Sequence, residues 1–121
     1  MAMILIVEDD AFIGELAGMM IQDWGYHVLS ASDVDEALAV LRSPQQIDAL
    51  FTDICLKNAA FGGCDLAHMA IKLRPTLSVL YTTGNSVTDE LRAMFVKGAD
   101  CLRKPYMHHQ LKSYVENLLP A

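Results

Sequence analysis

The chain has 121 residues, a formal net charge of −6, and 53% hydrophobic against 20% charged residues. This length and composition predict one globular domain over residues 1–121 and exclude a disordered chain. The negative charge disfavours direct binding to nucleic acid, and no apolar run reaches the ~18 residues of a membrane span. Three cysteines without a C-x-x-C spacing favour a reducing compartment, so we expect a cytoplasmic location and protein partners.

The first third of the chain predicts a strand, a helix and a second strand. Residues 3–8 are a continuous apolar run, as expected for a strand covered on both faces. Residues 11–24 follow the period of a helix that ends at Gly25, and its apolar positions are Phe12, Leu16, Met19 and Met20. Residues 26–31 predict the second strand. We expect the seven methionines of the chain to fill the core.

The middle of the chain predicts a capped helix, a central strand and a long loop. The helix is capped by Ser32 or Asp33, ends before Pro44, and has a buried stripe of Val34, Ala37, Leu38 and Leu41. Residues 47–53 form the most hydrophobic of the predicted strands, so we expect this strand at the centre of a sheet. A loop follows over residues 54–62.

The last part of the chain continues the alternation. A helix runs to Leu73, a strand covers residues 77–82, and a capping box opens a fourth helix over residues 86–97. Residues 100–103 predict a short fifth strand, and a fifth helix follows Pro105. Strict alternation of strands and helices predicts an α/β domain in which helices cover both faces of a parallel sheet.

Polar residues stand where four of these predicted strands end, namely Glu8, Asp9 and Asp10, then Asp53, then Thr83, and then Lys104. In a parallel sheet these ends lie along one edge, where open α/β sheets carry their ligand sites. Several carboxylates in one crevice need compensation, which a divalent cation and a lysine supply. The constellation therefore predicts an aspartate that accepts a phosphoryl group, with Asp53 as the acceptor.

These four motifs, in this order and at this spacing, resemble the receiver domain of bacterial two-component response regulators over the whole chain. The resemblance implies a doubly wound, five-stranded parallel sheet of order 2-1-3-4-5 with five helices, as in flavodoxin and the chemotaxis receivers. It also implies that a histidine kinase or histidine phosphotransfer protein donates a phosphoryl group from phosphohistidine to Asp53. The modified domain then switches a surface that binds a downstream protein effector.

The resemblance also implies a set of metal ligands. Asp9 and Asp53 bind Mg²⁺, or Mn²⁺ in its place, directly through their carboxylates. Glu8 acts through a water, and the backbone carbonyl of Cys55 completes the protein ligands. Asp10, the third acid of its run, is interpreted as the cap of the first helix.

Further site residues follow from the same resemblance. Lys104 and Thr83 contact the phosphoryl oxygens, through an ammonium and a hydroxyl. The peptide bond between Lys104 and Pro105 is expected to be cis. Gly84 allows the phosphoryl group to approach the backbone, and Asn85 tunes the access of water.

The chain departs from the family pattern at two places. Cys101 stands where receivers usually have Tyr or Phe, so Tyr81 or Tyr106 is expected to take over that aromatic's role in the switch. The segment from Tyr81 to Gly84 also has a weaker similarity to the aromatic-x-Thr-Gly receivers of alphaproteobacteria. In the loop after the third strand, a family glycine is displaced to Gly63, which implies about two inserted residues.

Three other functions are alternatives to this one. A degenerate receiver that binds partners without phosphorylation is the main alternative. A haloacid-type phosphatase needs an acid two residues past its nucleophile, where this chain has Cys55, so no reaction on an external substrate is expected. A flavodoxin-like carrier is disfavoured because acids replace its phosphate loop. We expect a monomer, or a weak homodimer through the fourth helix, fifth strand and fifth helix.

Overall fold

The computed structural model describes residues 2–57 and 59–119. Strands and helices alternate along it in the predicted order, with the bounds β1 Met3–Val7, α1 Ala11–Asp23, β2 His27–Ala31, α2 Val34–Arg42, β3 Ala49–Asp53, α3 Gly62–Leu73, β4 Ser78–Thr83, α4 Asp89–Arg92, β5 Asp100–Arg103 and α5 His108–Leu118. In this described part of the chain, no helix has both the length and the apolar character needed to cross a membrane.

The five strands form one parallel sheet in the order β2-β1-β3-β4-β5. This confirms the predicted doubly wound topology, and it places β3 at the centre of the sheet. All five residues of β3 are buried, because helices cover both of its faces. The register pairs Asp53 with Thr82 and Thr83 with Arg103, so the ends of β3, β4 and β5 lie side by side.

Two hydrophobic clusters hold the layers together, one on each face of the sheet. On one face, α1 and α5 pack through residues that include Ile21, Leu111 and Val115. On the other face, α2, α3 and α4 pack through residues that include Leu38 and Leu66. Each face thus buries the apolar side of its helices against β1, β3 and β4, which leaves the ends of these strands to carry polar groups.

Helix α1 does not bury the residues that its apolar period suggests. Phe12, Leu16 and Met19 are 69%, 45% and 61% exposed, and only Met20 of the four predicted positions packs against the core. The buried face consists of Ala17, Gly18 and Ile21. A Cβ at Gly18 would lie 3.6 Å from Val28, so small residues let the helix pack closely on the sheet. The expectation that all methionines fill the core is wrong for Met19 and for Met107, which is also exposed.

The fourth helix is much shorter than predicted. It spans only Asp89–Arg92, and its N-cap is Thr88, whose hydroxyl accepts a hydrogen bond from the Leu91 amide. The predicted continuation to residue 97 fails because the chain leaves the helical ladder. Phe95 stacks on Tyr81, and the amide of Val96 donates to the Tyr81 hydroxyl at 3.0 Å. A side chain of the sheet has therefore replaced the helix carbonyl as partner.

Candidate functional site

Backbone pairing continues past the strand ends and draws the predicted polar residues to one edge of the sheet. The Glu8 amide donates to the Ala31 carbonyl at 3.1 Å, which extends β1 alongside β2. The Lys104 amide donates to the Thr83 carbonyl at 2.8 Å, and the peptide bond that follows, between Lys104 and Pro105, is cis as predicted. These backbone hydrogen bonds fix the Cα positions from which the side chains of Glu8 and Lys104 extend.

Three carboxylates converge at this edge. Glu8, Asp9 and Asp53 each offer an oxygen, and these oxygens all lie within 4.8 Å of one another. Glu8 and Asp53 are buried, whereas Asp9 is exposed to solvent. Hard divalent cations such as Mg²⁺ prefer carboxylate oxygens and retain several waters. The cluster therefore fits a small divalent cation that keeps water on the side of Asp9.

Lys104 connects two of these acids. Its Nζ donates to Glu8 Oε2 at 2.8 Å and to Asp53 Oδ2 at 2.9 Å. The lysine stands 96 residues from Glu8 and 51 residues from Asp53, so only the sheet topology brings the three together. One ammonium thus bridges the predicted phosphoacceptor and a predicted metal ligand.

Burial and hydrogen bonding act in opposite directions on the pKa values of Glu8 and Lys104. Burial raises the pKa of Glu8, although hydrogen bonds from Lys104 and from the Asp10 amide act in the opposite direction. Burial also lowers the pKa of Lys104, but its hydrogen bonds to Glu8 and Asp53 and the charges of both acids outweigh this, so the net shift is upward. The lysine is therefore held in its charged form between Glu8 and Asp53.

Asp10 serves the helix and not the acidic cluster. Its Oδ1 accepts hydrogen bonds from the amides of Phe12 and Ile13 at 3.0 and 3.2 Å, which confirms the predicted N-cap of α1. Its own amide donates to Glu8 Oε1 at 3.2 Å. The start of α1 therefore also orients the Glu8 carboxylate.

Thr83 and the two residues after it form the next side of the site. The Thr83 hydroxyl is buried and accepts a hydrogen bond from the Asn85 amide at 3.1 Å. Its proton remains available for donation to a ligand. A Cβ at Gly84 would meet no atom within 4 Å, so the space above this residue is open and packing does not require a glycine there.

The loop after β3 is anchored close to Asp53. Cys55 has an exposed side chain, and the backbone of Leu56 pairs with that of Ala59. The Gly63 amide donates to the Ile54 carbonyl at 2.9 Å, and a Cβ on Gly63 would lie 1.9 Å from the Asp53 carbonyl oxygen. A glycine is thus required at position 63, where the sequence places the displaced family glycine. Asn58, in the same predicted loop, lies outside the described residues.

The aromatic candidates for the switch occupy different places. Tyr81 is fully buried beside Cys101, with which it pairs across β4 and β5, and its ring stacks on Phe95 at 4.4 Å between centroids. Burial raises the pKa of Tyr81 to about 12 and that of Cys101 to about 11. Tyr106 packs against Phe51 on the opposite face of the sheet, and burial also raises its pKa.

Sequence reasoning missed Thr82. This residue lies opposite Asp53 in the register and is buried, and within residues 2–57 and 59–119 its hydroxyl is the one buried side-chain polar atom without a hydrogen-bond partner. The sequence indicates only that Thr82 and Thr83 face opposite sides of the sheet, because side chains alternate along a strand.

A comparison with known proteins gives one family for nearly the whole chain. The family model described as response regulator receiver domain matches residues 4–116. The nitrogen assimilation regulatory protein NtrX of Azorhizobium caulinodans is 29% identical over 96% of this chain, which covers 26% of NtrX. The sensor histidine kinase RcsC of Escherichia coli is 33% identical over 85% of this chain, which covers 11% of RcsC. The chain thus spans only a part of these longer relatives.

Solved structures agree with this comparison. A response regulator receiver protein from Sinorhizobium medicae superimposes with a TM-score of 0.90 at 28% identity, over 99% of this chain and 95% of that one. A CheY-like receiver domain protein from Methanospirillum hungatei gives a TM-score of 0.87 at 27% identity, over 97% and 92%. The backbone and the sequence therefore point to the same family.

Proposed function

The chain belongs to the response regulator receiver domain family, and on this premise we propose that it accepts a phosphoryl group on Asp53 from a phosphohistidine. The donor is a histidine kinase or a histidine phosphotransfer protein, and the domain acts in the cytoplasm on a downstream protein effector. The observation that carries the proposal is the contact of Lys104 with both Asp53 and Glu8, beside the exposed acid Asp9. This arrangement gathers a nucleophile, metal ligands and a cation at one edge.

The proposed reaction uses these residues in distinct roles. A carboxylate oxygen of Asp53 forms a bond to phosphorus while the bond from phosphorus to the donor's imidazole nitrogen breaks, and that nitrogen keeps the electron pair. Bound Mg²⁺ or Mn²⁺ supplies the positive charge that offsets repulsion between carboxylates and phosphoryl oxygens. Lys104, already 2.9 Å from Asp53, is placed to bind a phosphoryl oxygen, and the free proton of Thr83 is available to another.

Metal binding gives a direct test of the site. Mg²⁺ at about ten times its dissociation constant is expected to stabilise the folded protein by about 1.4 kcal/mol. This raises the midpoint of thermal unfolding by about 5 °C for a chain of this size. Asp9→Asn is expected to lose most of the rise, because it removes one of the three converging carboxylates. Thermal unfolding followed by circular dichroism, with and without Mg²⁺, measures the effect.

The matched control is Asp10→Asn. It removes the same charge one residue away, but asparagine still caps α1 and position 10 is not one of the converging acids. This variant is expected to keep the Mg²⁺-dependent rise. An equal rise in Asp9→Asn, or none in the wild type, contradicts the proposed metal site.

The output surface is proposed to include α4, β5 and α5, through which the domain binds its effector or forms a weak homodimer. Tyr81 is assigned the role of the aromatic that is missing at Cys101. Its side chain faces the same side of the sheet as that of Thr83, and it bonds and stacks with Val96 and Phe95 just after α4. A movement of Thr83 toward a phosphoryl group is therefore expected to shift the ring of Tyr81, and with it the segment that follows α4.

The donor is proposed to dock on α1. Phe12, Leu16 and Met19 recur at helical spacing and form an exposed apolar stripe. The stripe begins in the first turn of the helix, directly after the acids of the site, so a protein that packs on it can reach Asp53. A helical donor of matching apolar character suits this surface better than a nucleic acid, since the chain carries a net charge of −6.

The double variant Phe12→Ala with Leu16→Ala tests this docking surface. Transfer from a histidine phosphotransfer protein that phosphorylates the wild type is expected to slow about tenfold or more, because truncating interface anchors costs over 1 kcal/mol each. Phosphorylation by acetyl phosphate is expected to stay unchanged, since this donor needs no docking. Leu73→Ala, at an exposed apolar position on α3, is the control and is expected to retain both rates. Equal slowing with both donors contradicts a docking role.

A further inference from the structure

The side-chain hydroxyl of Thr82 is buried and has no hydrogen-bond partner in the described part of the chain. The residue as a whole is 3% exposed. Leaving a buried hydroxyl unpaired costs free energy that a valine of nearly the same shape avoids. Such an atom calls for a partner, and small internal cavities supply one when they hold water.

A cavity of the required size adjoins Thr82. It measures about 10 Å³ and is lined by Glu8, by residues of β1, β3 and β4, by the first turns of α1 and by Tyr106. This volume is about that needed for a single water. Its walls include Thr82 and also Glu8, whose carboxylate faces the acidic site. The cavity therefore borders both the residue with the unpaired hydroxyl and a predicted metal ligand.

The Glu8 carboxylate has capacity for further donors. Its Oε2 accepts from Lys104 and its Oε1 accepts from the Asp10 amide. Each carboxylate oxygen accepts about two hydrogen bonds, so both oxygens retain a free lone pair. A water in the cavity can donate to Glu8 while it accepts from Thr82, and the Thr82 hydroxyl then has the partner that it lacks.

We propose that Thr82 is a positioning residue, whose hydroxyl and the Glu8 carboxylate together hold one water in this cavity and so fix Glu8 for cation binding. The role of Thr82 in cation binding rests on the proposed function, whereas the presence of the water does not. Lys104 bridges Glu8 and Asp53 in this structure, and it is expected to turn toward the phosphoryl group after transfer. Thr82 and its water then keep Glu8 in place when the lysine moves away.

The sign of a stability change tests for the water. Thr82→Val replaces the hydroxyl with a methyl group of similar size. If the hydroxyl is unpaired, this variant is more stable than the wild type; if it holds a water to Glu8, the variant loses both bonds and is less stable. We expect the unfolding midpoint in EDTA to fall by about 3–5 °C. Thr82→Ser keeps the hydroxyl and is expected to remain nearer the wild type than Thr82→Val.

Mg²⁺ titration of the same proteins, followed by calorimetry, tests the positioning role. Thr82→Val is expected to bind Mg²⁺ about three- to tenfold more weakly, and Thr82→Ser to recover most of the affinity. If the unfolding midpoint of Thr82→Val in EDTA rises or stays the same, Thr82 and Glu8 do not hold the proposed water. Unchanged Mg²⁺ affinity overturns the positioning role. A wild type that binds no Mg²⁺ overturns the proposed function instead, while the comparison in EDTA still decides whether the water is present.

Discussion

Gly63→Ala is expected to destabilise the protein by about 3 kcal/mol, at the upper end of the usual cost of overpacking. A Cβ at this position would stand 1.9 Å from the carbonyl oxygen of Asp53 and 2.8 Å from the Cα of Ile54, and both are backbone atoms that cannot rotate away. The start of α3 has to move, which also strains the 2.9 Å hydrogen bond from the Gly63 amide to Ile54. Urea unfolding measures the loss as a lower midpoint with an unchanged slope.

Gly84→Ala provides the matched control at the same edge of the sheet. A Cβ at Gly84 meets nothing within 4 Å, so its effect on the free energy of unfolding is expected to stay within about 0.5 kcal/mol. The two glycine-to-alanine changes are thus expected to differ several-fold in how much they lower the free energy of unfolding. If Gly63→Ala unfolds at the same urea concentration as Gly84→Ala, the close packing of α3 on the Asp53 backbone is wrong.

The fold was largely predictable because each strand and helix carries its own local signal. Five apolar runs separated by capped helices specify a parallel α/β sheet, and the most hydrophobic run became the central strand β3. The failures came where tertiary contacts override a local pattern. The apolar period of α1 gave the wrong buried face, since Gly18 and Ala17 allow a closer approach to the sheet than Leu16 does. The predicted length of α4 was wrong because the Val96 amide donates to the Tyr81 hydroxyl instead of to a helix carbonyl.

That these polar residues gather at one edge of the sheet was predictable, whereas their contacts were not. Acids, a threonine and a lysine at strand ends follow from sequence and topology together. Lys104 forms hydrogen bonds with Glu8 as well as with Asp53. Because Lys104 and Glu8 are 96 residues apart in the sequence, no local pattern predicts this contact. Thr82 was overlooked because its importance arises from the absence of a partner, and this appears only when the surrounding atoms are placed.

Asp53→Asn is expected to abolish phosphorylation completely. The amide nitrogen of asparagine is no nucleophile toward phosphorus, and the change removes one of the three carboxylates that converge on the proposed cation. It also removes one of the two carboxylates that contact Lys104. The loss is expected at every donor concentration, with acetyl phosphate as well as with a phosphohistidine protein, because the acceptor itself is missing.

The intact mass of the protein after incubation with Mg²⁺ and acetyl phosphate tests the central claim most directly. The wild type is expected to gain one phosphoryl group, EDTA is expected to prevent the gain, and Asp53→Asn is expected never to show it. Since acyl phosphates hydrolyse, a parallel titration with beryllofluoride, which occupies the same site without turnover, accompanies the measurement. A wild type that gains no phosphoryl group from acetyl phosphate or a phosphohistidine donor and does not respond to beryllofluoride contradicts the account. That result favours the alternative of a degenerate receiver, which is expected to bind partners without phosphorylation.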